Sequence, residues 1–357
     1  MALELPFLTT DVPAIAGHLK QRPEDFVVVE RPAYGPCGEG EHVLFEIEKR
    51  GLSTQNALGE LARALGRPRG DFGYAGLKDA RAVTRQQLSV WGSSPEAVRA
   101  VELPGLRVLA AERHQNKLRV GHLRGNHFRL RLRGVDRARA ADVAAVLEVL
   151  ARRGLPNAFG PQRFGRDGRS WELGRDLLAG GARGTRKRRG VTLLRFYVSA
   201  WQAWLFNRVL AARWEGFDGL LEGDLAWLHD RGAVFRVGDP QLELERARRM
   251  ELSATGPLCG TQMTEPEGAA RELERGVLAA AGVPDGKLGG PRFLQWKGAR
   301  RPLRVPLHEL EHAFGKDEHG EFLELAFGLP PGSYATCVVR ELFKDAGSEL
   351  DDGGDGD

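Results

Sequence analysis

Apolar and polar residues alternate in several stretches of the chain and recur at helical spacing in others, and these two periods set out the elements. In His42-Val-Leu-Phe-Glu-Ile-Glu48, Val43, Phe45 and Ile47 fall on one side of an extended chain, which predicts a strand with one buried face. Phe26-Val-Val-Val-Glu30 is short and β-branched and predicts another, with a Gly- and Pro-rich loop between the two. After Ser53, a fitting N-cap, Leu58, Leu61, Ala62 and Leu65 recur at i, i+3, i+4 and i+7. That spacing predicts an amphipathic helix ending near Gly66 and Pro68. Phe128, Leu130 and Leu132 then alternate with Arg129, Arg131 and Arg133, as in a strand with an apolar face and a cationic face. Asp136 precedes a helix with the stripe Val143, Val146, Leu147 and Leu150, closed by Gly154 and Pro156. Strand followed by helix with short connections implies a mixed α+β architecture.

From about residue 165 the texture changes. Gly180 to Gly190 carries five cations between positions 183 and 189 and predicts a flexible basic loop, after which a second unit begins. Its first strong helix contains Ser199 to Arg213, whose Trp and Leu residues are expected in a core. No internal repeat is visible.

Composition narrows the class. With 42% hydrophobic residues in 357, the chain has material for one large domain or two ordinary ones. No apolar stretch approaches the roughly 20 residues of a membrane span, and the first dozen residues do not read as a signal peptide. Cys37, Cys259 and Cys337 are isolated and odd in number, which argues against a disulfide framework and for a reducing, cytoplasmic setting. The last thirteen residues hold six acids and no Lys or Arg; without them the chain has 52 bases against 42 acids. That excess suits a polyanionic partner, and the tail itself predicts disorder.

Candidate chemistry is sparse. Gly35-Pro-Cys-Gly-Glu-Gly40 lacks the Rossmann spacing and no segment fits a Walker pattern, so no cofactor is indicated. His308-Glu-Leu-Glu-His312 satisfies H-E-x-x-H, which on a helix would place two histidines toward zinc with Glu309 activating water. Pro306 and Gly315 leave room for only a short surface helix, however, and the third histidine of the longer pattern is absent. Asp79, in the polar turn Gly76-Leu-Lys-Asp79, is the more informative acid. Lys78 and Arg81 flank it and Thr84 and Gln86 follow; cations beside a carboxylate hold it ionised and able to attack an anomeric carbon.

Read together, five ordered segments resemble the TruD family of pseudouridine synthases. They are Lys20-Gln-Arg-Pro-Glu-Asp-Phe26, Gly73-Tyr-Ala-Gly-Leu-Lys-Asp-Ala-Arg-Ala-Val-Thr84, Gly125-Asn-His-Phe128, Asn157-Ala-Phe-Gly-Pro-Gln-Arg-Phe-Gly165 and Phe327-Gly-Leu-Pro-Pro-Gly-Ser-Tyr-Ala-Thr336. The resemblance implies an α+β fold: a pseudouridine synthase catalytic domain on a bent mixed sheet, made of 1–164 and 304–344, interrupted by an inserted α/β domain over 165–303, with 345–357 as an acidic tail. It implies isomerisation of a tRNA uridine, at position 13 in the D-arm, with no cofactor, metal, membrane or protein partner. Asp79 matches the catalytic aspartate, Lys20 a basic residue beside it, and Phe26, Asn126, Phe128 and Phe327 residues that hold the target nucleotide.

Each residue also has a reading of its own. Phe128 suits a stacking platform for an extruded base, and Phe26 and Phe327 frame the pocket or pack beneath it. Asn126 offers a donor and an acceptor to a uracil edge or a ribose hydroxyl, while Gly-Asn is equally ordinary turn chemistry. Lys20 pairs with Asp79 or with a phosphate. Arg129, Arg131 and Arg133, with the loop Arg183 to Arg189, are expected to meet tRNA phosphates. The sequence leaves attack of Asp79 on C1′, addition to the pyrimidine and a glycal route equally open. An RNA-binding protein without catalysis and a zinc hydrolase are the competing classes.

Overall fold

A computed structural model describes residues 5–165, 167–181, 190–283 and 296–344. The basic segment Arg183 to Arg189 and the acidic segment 345–357 lie outside the described residues. By Cα proximity the described residues divide into two compact units, one drawn from 14–143, 307–335 and 343–344, the other from 5–13, 144–306 and 336–342.

The first unit is built on a nine-stranded sheet. Its strands are β1 (Phe26–Pro32), β2 (His42–Arg50), β3 (Phe72–Tyr74), β4 (Val83–Trp91), β5 (Glu102–Leu103), β6 (Leu106–His114), β7 (Leu123–Arg133) and a late hairpin, His308–Asp317 with Gly320–Leu329. Across the sheet the order is hairpin, β7, β1, β4, β2, β6, β5, with β3 also on β4. β1 runs parallel to β4 while its other neighbour, β7, is antiparallel, so the sheet is mixed. Val43, Phe45 and Ile47 are buried together with Ala57, Leu58 and Leu61 of α1 (Thr54–Ala64), as the two periodicities predict. Ser53 caps α1, its hydroxyl accepting from the Asn56 N–H at 3.1 Å.

Pairing registers align one row across five strands: Phe327, Phe128, Val28, Thr84 and Lys49. Directly paired residues point to the same face, so two phenylalanines, a valine and two polar positions share one surface. Asn126 lies in the adjacent row, opposite Glu30 and Leu329. It belongs to a strand, and the alternative of a Gly-Asn turn is not what forms. Gly125 is needed for a different reason: a Cβ there would come within 2.4 Å of the Leu329 carbonyl oxygen.

The segment His308 to His312 is an exposed strand rather than a helix. The strand is bulged between His308 and Glu311 and lacks the one-turn spacing of a helix, so the facing pair that H-E-x-x-H chemistry requires does not form. Among the described residues no group of three or more His, Cys, Asp or Glu side chains is placed to hold a metal ion. Among them, too, no helix is long and apolar enough to cross a membrane.

The second unit has a four-stranded antiparallel sheet of Val234–Arg236, Leu225–Leu228, Leu252–Leu258 and Ala299–Pro302. The helix Val191–Ala212 packs on Leu252–Leu258 with Trp201, Leu205, Phe206, Val209 and Leu210 buried. Asn157 is tied into this unit, its amide donating to the Pro302 carbonyl at 2.9 Å and its backbone N–H to Leu303 at 2.9 Å. Asn207 bonds both the N–H and the carbonyl of Phe159, each at 2.9 Å.

Candidate active site

Asp79 stands in the loop from β3 to β4, and the loop is fixed from below. Gly73 permits its start, because a Cβ there would lie 2.2 Å from the Leu118 carbonyl oxygen. The Lys78 N–H donates to the Thr54 hydroxyl at 2.8 Å, at the first turn of α1. Lys49, fully buried, extends its ammonium to the carbonyl oxygens of Asp79 (2.8 Å), Lys78 (3.3 Å) and Leu52. A lysine ammonium has three donors, and here they tie the turn after β2 to the Asp79 loop.

Lys78, the neighbour of Asp79 in sequence, does not serve its carboxylate. Lys78 turns inward and forms a buried ion pair with Glu30, whose other oxygen accepts from the Gln87 N–H at 3.1 Å. Lys20, fifty-nine residues earlier, places its Nζ 2.9 Å from Asp79 Oδ2. The Lys20 side chain is 6% exposed while that of Asp79 is 42% exposed, so the lysine approaches from the protein side and leaves the carboxylate open.

Lys20 has φ +58°, a left-handed conformation that costs a non-glycine residue about 1–3 kcal/mol. The turn after it holds that geometry. The Arg22 N–H donates to the Asp25 carboxylate at 3.1 Å, and buried Asp25 receives the Arg133 guanidinium at 2.8 Å. Arg133 also binds Asp317 through two nitrogens at 3.0 and 2.9 Å. This hydrogen bonding from Arg133 holds the Asp317 carboxyl well below the usual carboxylate range. One buried guanidinium therefore joins the Lys20 to Phe26 segment, β7 and the hairpin.

The aromatic residues follow from that anchorage. Lys20 Nζ lies 4.2 Å from the centroid of the Phe26 ring. Phe26 meets Phe128 edge to face at 6.2 Å, and Phe128 stacks on Phe327 at 5.7 Å. Phe327 is wholly buried beside Phe128, its direct partner in the pairing of β7 with the hairpin. Three buried polar atoms near this row have no hydrogen-bond partner: Asn126 Oδ1, Thr84 Oγ1 and Gln86 Nε2. Buried polar atoms are ordinarily paired, so these three positions can accept a further partner.

The structure thus brings Lys20, Phe26, Asp79, Phe128 and Phe327 into one chain of contacts, with Asn126 two residues along β7 from Phe128 and in the row beside it. It does not leave the cationic face of β7 free. Arg133 is spent on Asp25 and Asp317, and Arg131 on Glu324 (2.8 Å) and Asp317 (3.4 Å); only Arg129 of the three is exposed. Lys49, Glu30 and Asp25 escape a sequence reading. The available signal is a charged residue at an inward position of a strand, as Lys49 is two places beyond Ile47.

Residues 2–188 and 189–342 match the family described as tRNA pseudouridine synthase D (TruD). Among similar curated proteins, the tRNA pseudouridine synthase D of Geobacter sulfurreducens is 42% identical over 96% of this chain and 97% of its own length. That of an Anaeromyxobacter strain is 46% identical, covering 97% of this chain and 98% of its own. For the Thermus thermophilus protein the figures are 45%, 95% and 92%. A solved TruD-type structure from Methanosarcina mazei superposes with a TM-score of 0.74 at 23% identity, covering 95% of this chain and 96% of that one, and shows the same fold.

Proposed function

Because the chain belongs to the TruD family of tRNA pseudouridine synthases, we propose that Asp79 is the carboxylate on which its isomerisation of uridine depends. The enzyme converts uridine to pseudouridine in tRNA. The bond from uracil N1 to ribose C1′ breaks, the base turns, and C5 joins the same carbon. No atom enters or leaves, so neither a redox group nor an activated water is called for, and one carboxylate suffices where a glycosidase needs two.

The observation that carries the assignment is the open Asp79 carboxylate, gripped by Lys20 at 2.9 Å, with Lys20 against the ring contacts of Phe26, Phe128 and Phe327. Asp79 acts as the nucleophile. Lys20 balances its charge and fixes its orientation. A uridine drawn out of the tRNA stacks at Phe128, with Phe26 at its edge and Phe327 as backing. Asn126, whose Oδ1 has no partner in the protein, accepts from a uracil N–H or a ribose hydroxyl.

The target is uridine 13 of the D-arm. By the family resemblance the catalytic domain comprises 1–164 and 304–344 and the insertion 165–303 adds tRNA-binding surface, although 144–164 and 304–306 group with the second unit by Cα proximity; the cytoplasm is the setting. Tritium release from tRNA labelled at uridine C5 tests the assignment. Asp79→Asn should lose about a thousandfold or more in single-turnover rate while still binding tRNA. Normal turnover by that variant would sink the mechanism, and pseudouridine mapping of cellular tRNA with and without the protein checks the position.

A further inference from the structure

Among the described residues of the sheet-bearing unit, three large apolar side chains are exposed: Leu77 at 63%, Val120 at 72% and Trp91. Trp91 is accounted for, since its indole N–H donates to Glu41 at 3.0 Å and the Arg67 guanidinium lies 5.6 Å from its ring. Leu77 and Val120 have no such company. Both stand on turns, and the turns are fastened to each other by the Gly121 N–H donating to the Ala75 carbonyl at 2.8 Å.

Neither turn can fold its apolar tip away. Leu77 is bracketed by buried Ala75 and by Lys78, which is held by Thr54, Lys49 and Glu30. Val120 is the first central residue of a turn closed by His122 N–H to Arg119 carbonyl at 3.0 Å, with Gly121 at φ +94°. Leu118 anchors one side, its N–H donating to Ser89 Oγ at 2.9 Å, and the His122 ring anchors the other through the Tyr34 hydroxyl at 2.7 Å. Arg81 and Arg119 are exposed on these two loops and Arg124 at the start of β7, so the apolar tips stand in a cationic rim.

Leu77 is two residues from Asp79, a reach of at most about 7 Å, or roughly two base steps of a nucleic acid strand. We propose that Leu77 and Val120 form an apolar wedge that enters the RNA stack beside the target, occupying the space of the extruded uridine and packing on the bases flanking it. The wedge rests on the reading of Asp79 as the reacting carboxylate. Its chemistry is that of proteins that insert apolar side chains between bases and repay unstacking with new contacts. The surrounding arginines hold phosphates and give the tips their approach.

The test compares Leu77→Ser, Val120→Ser and the double variant with Asp79→Asn on two tRNA transcripts, one fully paired in the D-arm and one with the target uridine facing an abasic residue. Both positions are solvent-exposed, so the variants should melt as the parent does. On the paired transcript the double variant should slow single-turnover tritium release about 10- to 100-fold with the dissociation constant moved less than about threefold. On the abasic-facing transcript, where extrusion is easy, its rate should return to within about threefold of the parent.

With 2-aminopurine beside the target, Asp79→Asn should keep the fluorescence rise of unstacking although it cannot react, and the double variant should lose it. A double variant within about twofold of the parent on the paired transcript, or one slowed equally on both, overturns the wedge. An active Asp79→Asn overturns instead the reading of the site, so the two failures are distinct.

Discussion

Lys49 offers a severe test of how the Asp79 loop is held. Its side chain is fully buried in β2 and its ammonium donates to the carbonyls of Asp79, Lys78 and Leu52. Lys49→Met keeps the stem and removes the charge, leaving three carbonyls short of a donor. Each unsatisfied buried acceptor costs about 1–3 kcal/mol, while the relief of a buried ammonium offsets part of the sum, so a net loss of about 3 kcal/mol is expected. For a unit of this size that lowers the melting temperature by roughly 6–10 °C.

The effect on rate should exceed the effect on folding. At a temperature where the variant is folded, a carboxylate displaced by about 1 Å costs on the order of a hundredfold in turnover. Urea titration gives the first quantity and single-turnover tritium release the second. Thr54→Val, which removes the 2.8 Å bond to the Lys78 N–H, should move both in the same direction by less. If Lys49→Met melts lower yet turns over within about threefold of the parent, the lysine supports the sheet and not the loop, and the reasoning fails.

Other expectations follow from the same contacts. Asp317 has a folded-state pKa depressed by Arg133, so its contribution is complete above the unfolded value near 3.9 and is lost as pH falls toward the folded one. Asp317→Asn should therefore lower the urea midpoint at pH 7, with the gap to the parent narrowing below about pH 4; an unchanged gap in acid refutes the linkage. Phe327→Ala should cost about 3–5 kcal/mol by opening a cavity beside Phe128, whereas Phe327→Leu should fold with a smaller loss and retain most activity, measured as urea midpoint and kcat/KM. Arg129→Gln should reduce the slope of log affinity against log salt by about 1, and Arg131→Gln should leave it unchanged because Arg131 is engaged by Glu324 and Asp317.

Local periodicity made most strands, the first helix and its cap legible, because burial of one face imposes a period on any sequence that folds. The Asp79 neighbourhood was legible only in part. Of the flanking cations expected to serve the carboxylate, Lys78 points into the sheet instead, and Lys20 reaches Asp79 from another segment. Proximity along a chain fixes which residues share a loop and not which way each side chain leaves it. The arginine stripe of β7 misled for a related reason: alternation reveals two faces but not whether opposing acids cover one of them, and Asp25, Asp317 and Glu324 lie far off in sequence. His308 to His312 matched a helical motif in a segment whose pairing with the following strand made it extended, so its spacing had no spatial meaning.

Buried charge in this unit follows a rule that neither apolar packing nor ion-pair strength explains. Replacing a buried ion pair with hydrocarbon is often neutral or stabilising, so such pairs are weak evidence of stability. Here each one links a segment that carries a site residue. Asp25, Arg133 and Asp317 join the Lys20 and Phe26 segment to β7, which bears Asn126 and Phe128, and to the hairpin, which bears Phe327. Glu30 and Lys78 join β1 to the Asp79 loop, and Lys49 joins β2 to the same loop. Directional bonds fix angle as well as distance, which apolar contact does not. With Asp79 as the proposed reacting carboxylate, setting it toward a uridine beside aromatic rings requires that angular control, which the buried charges supply.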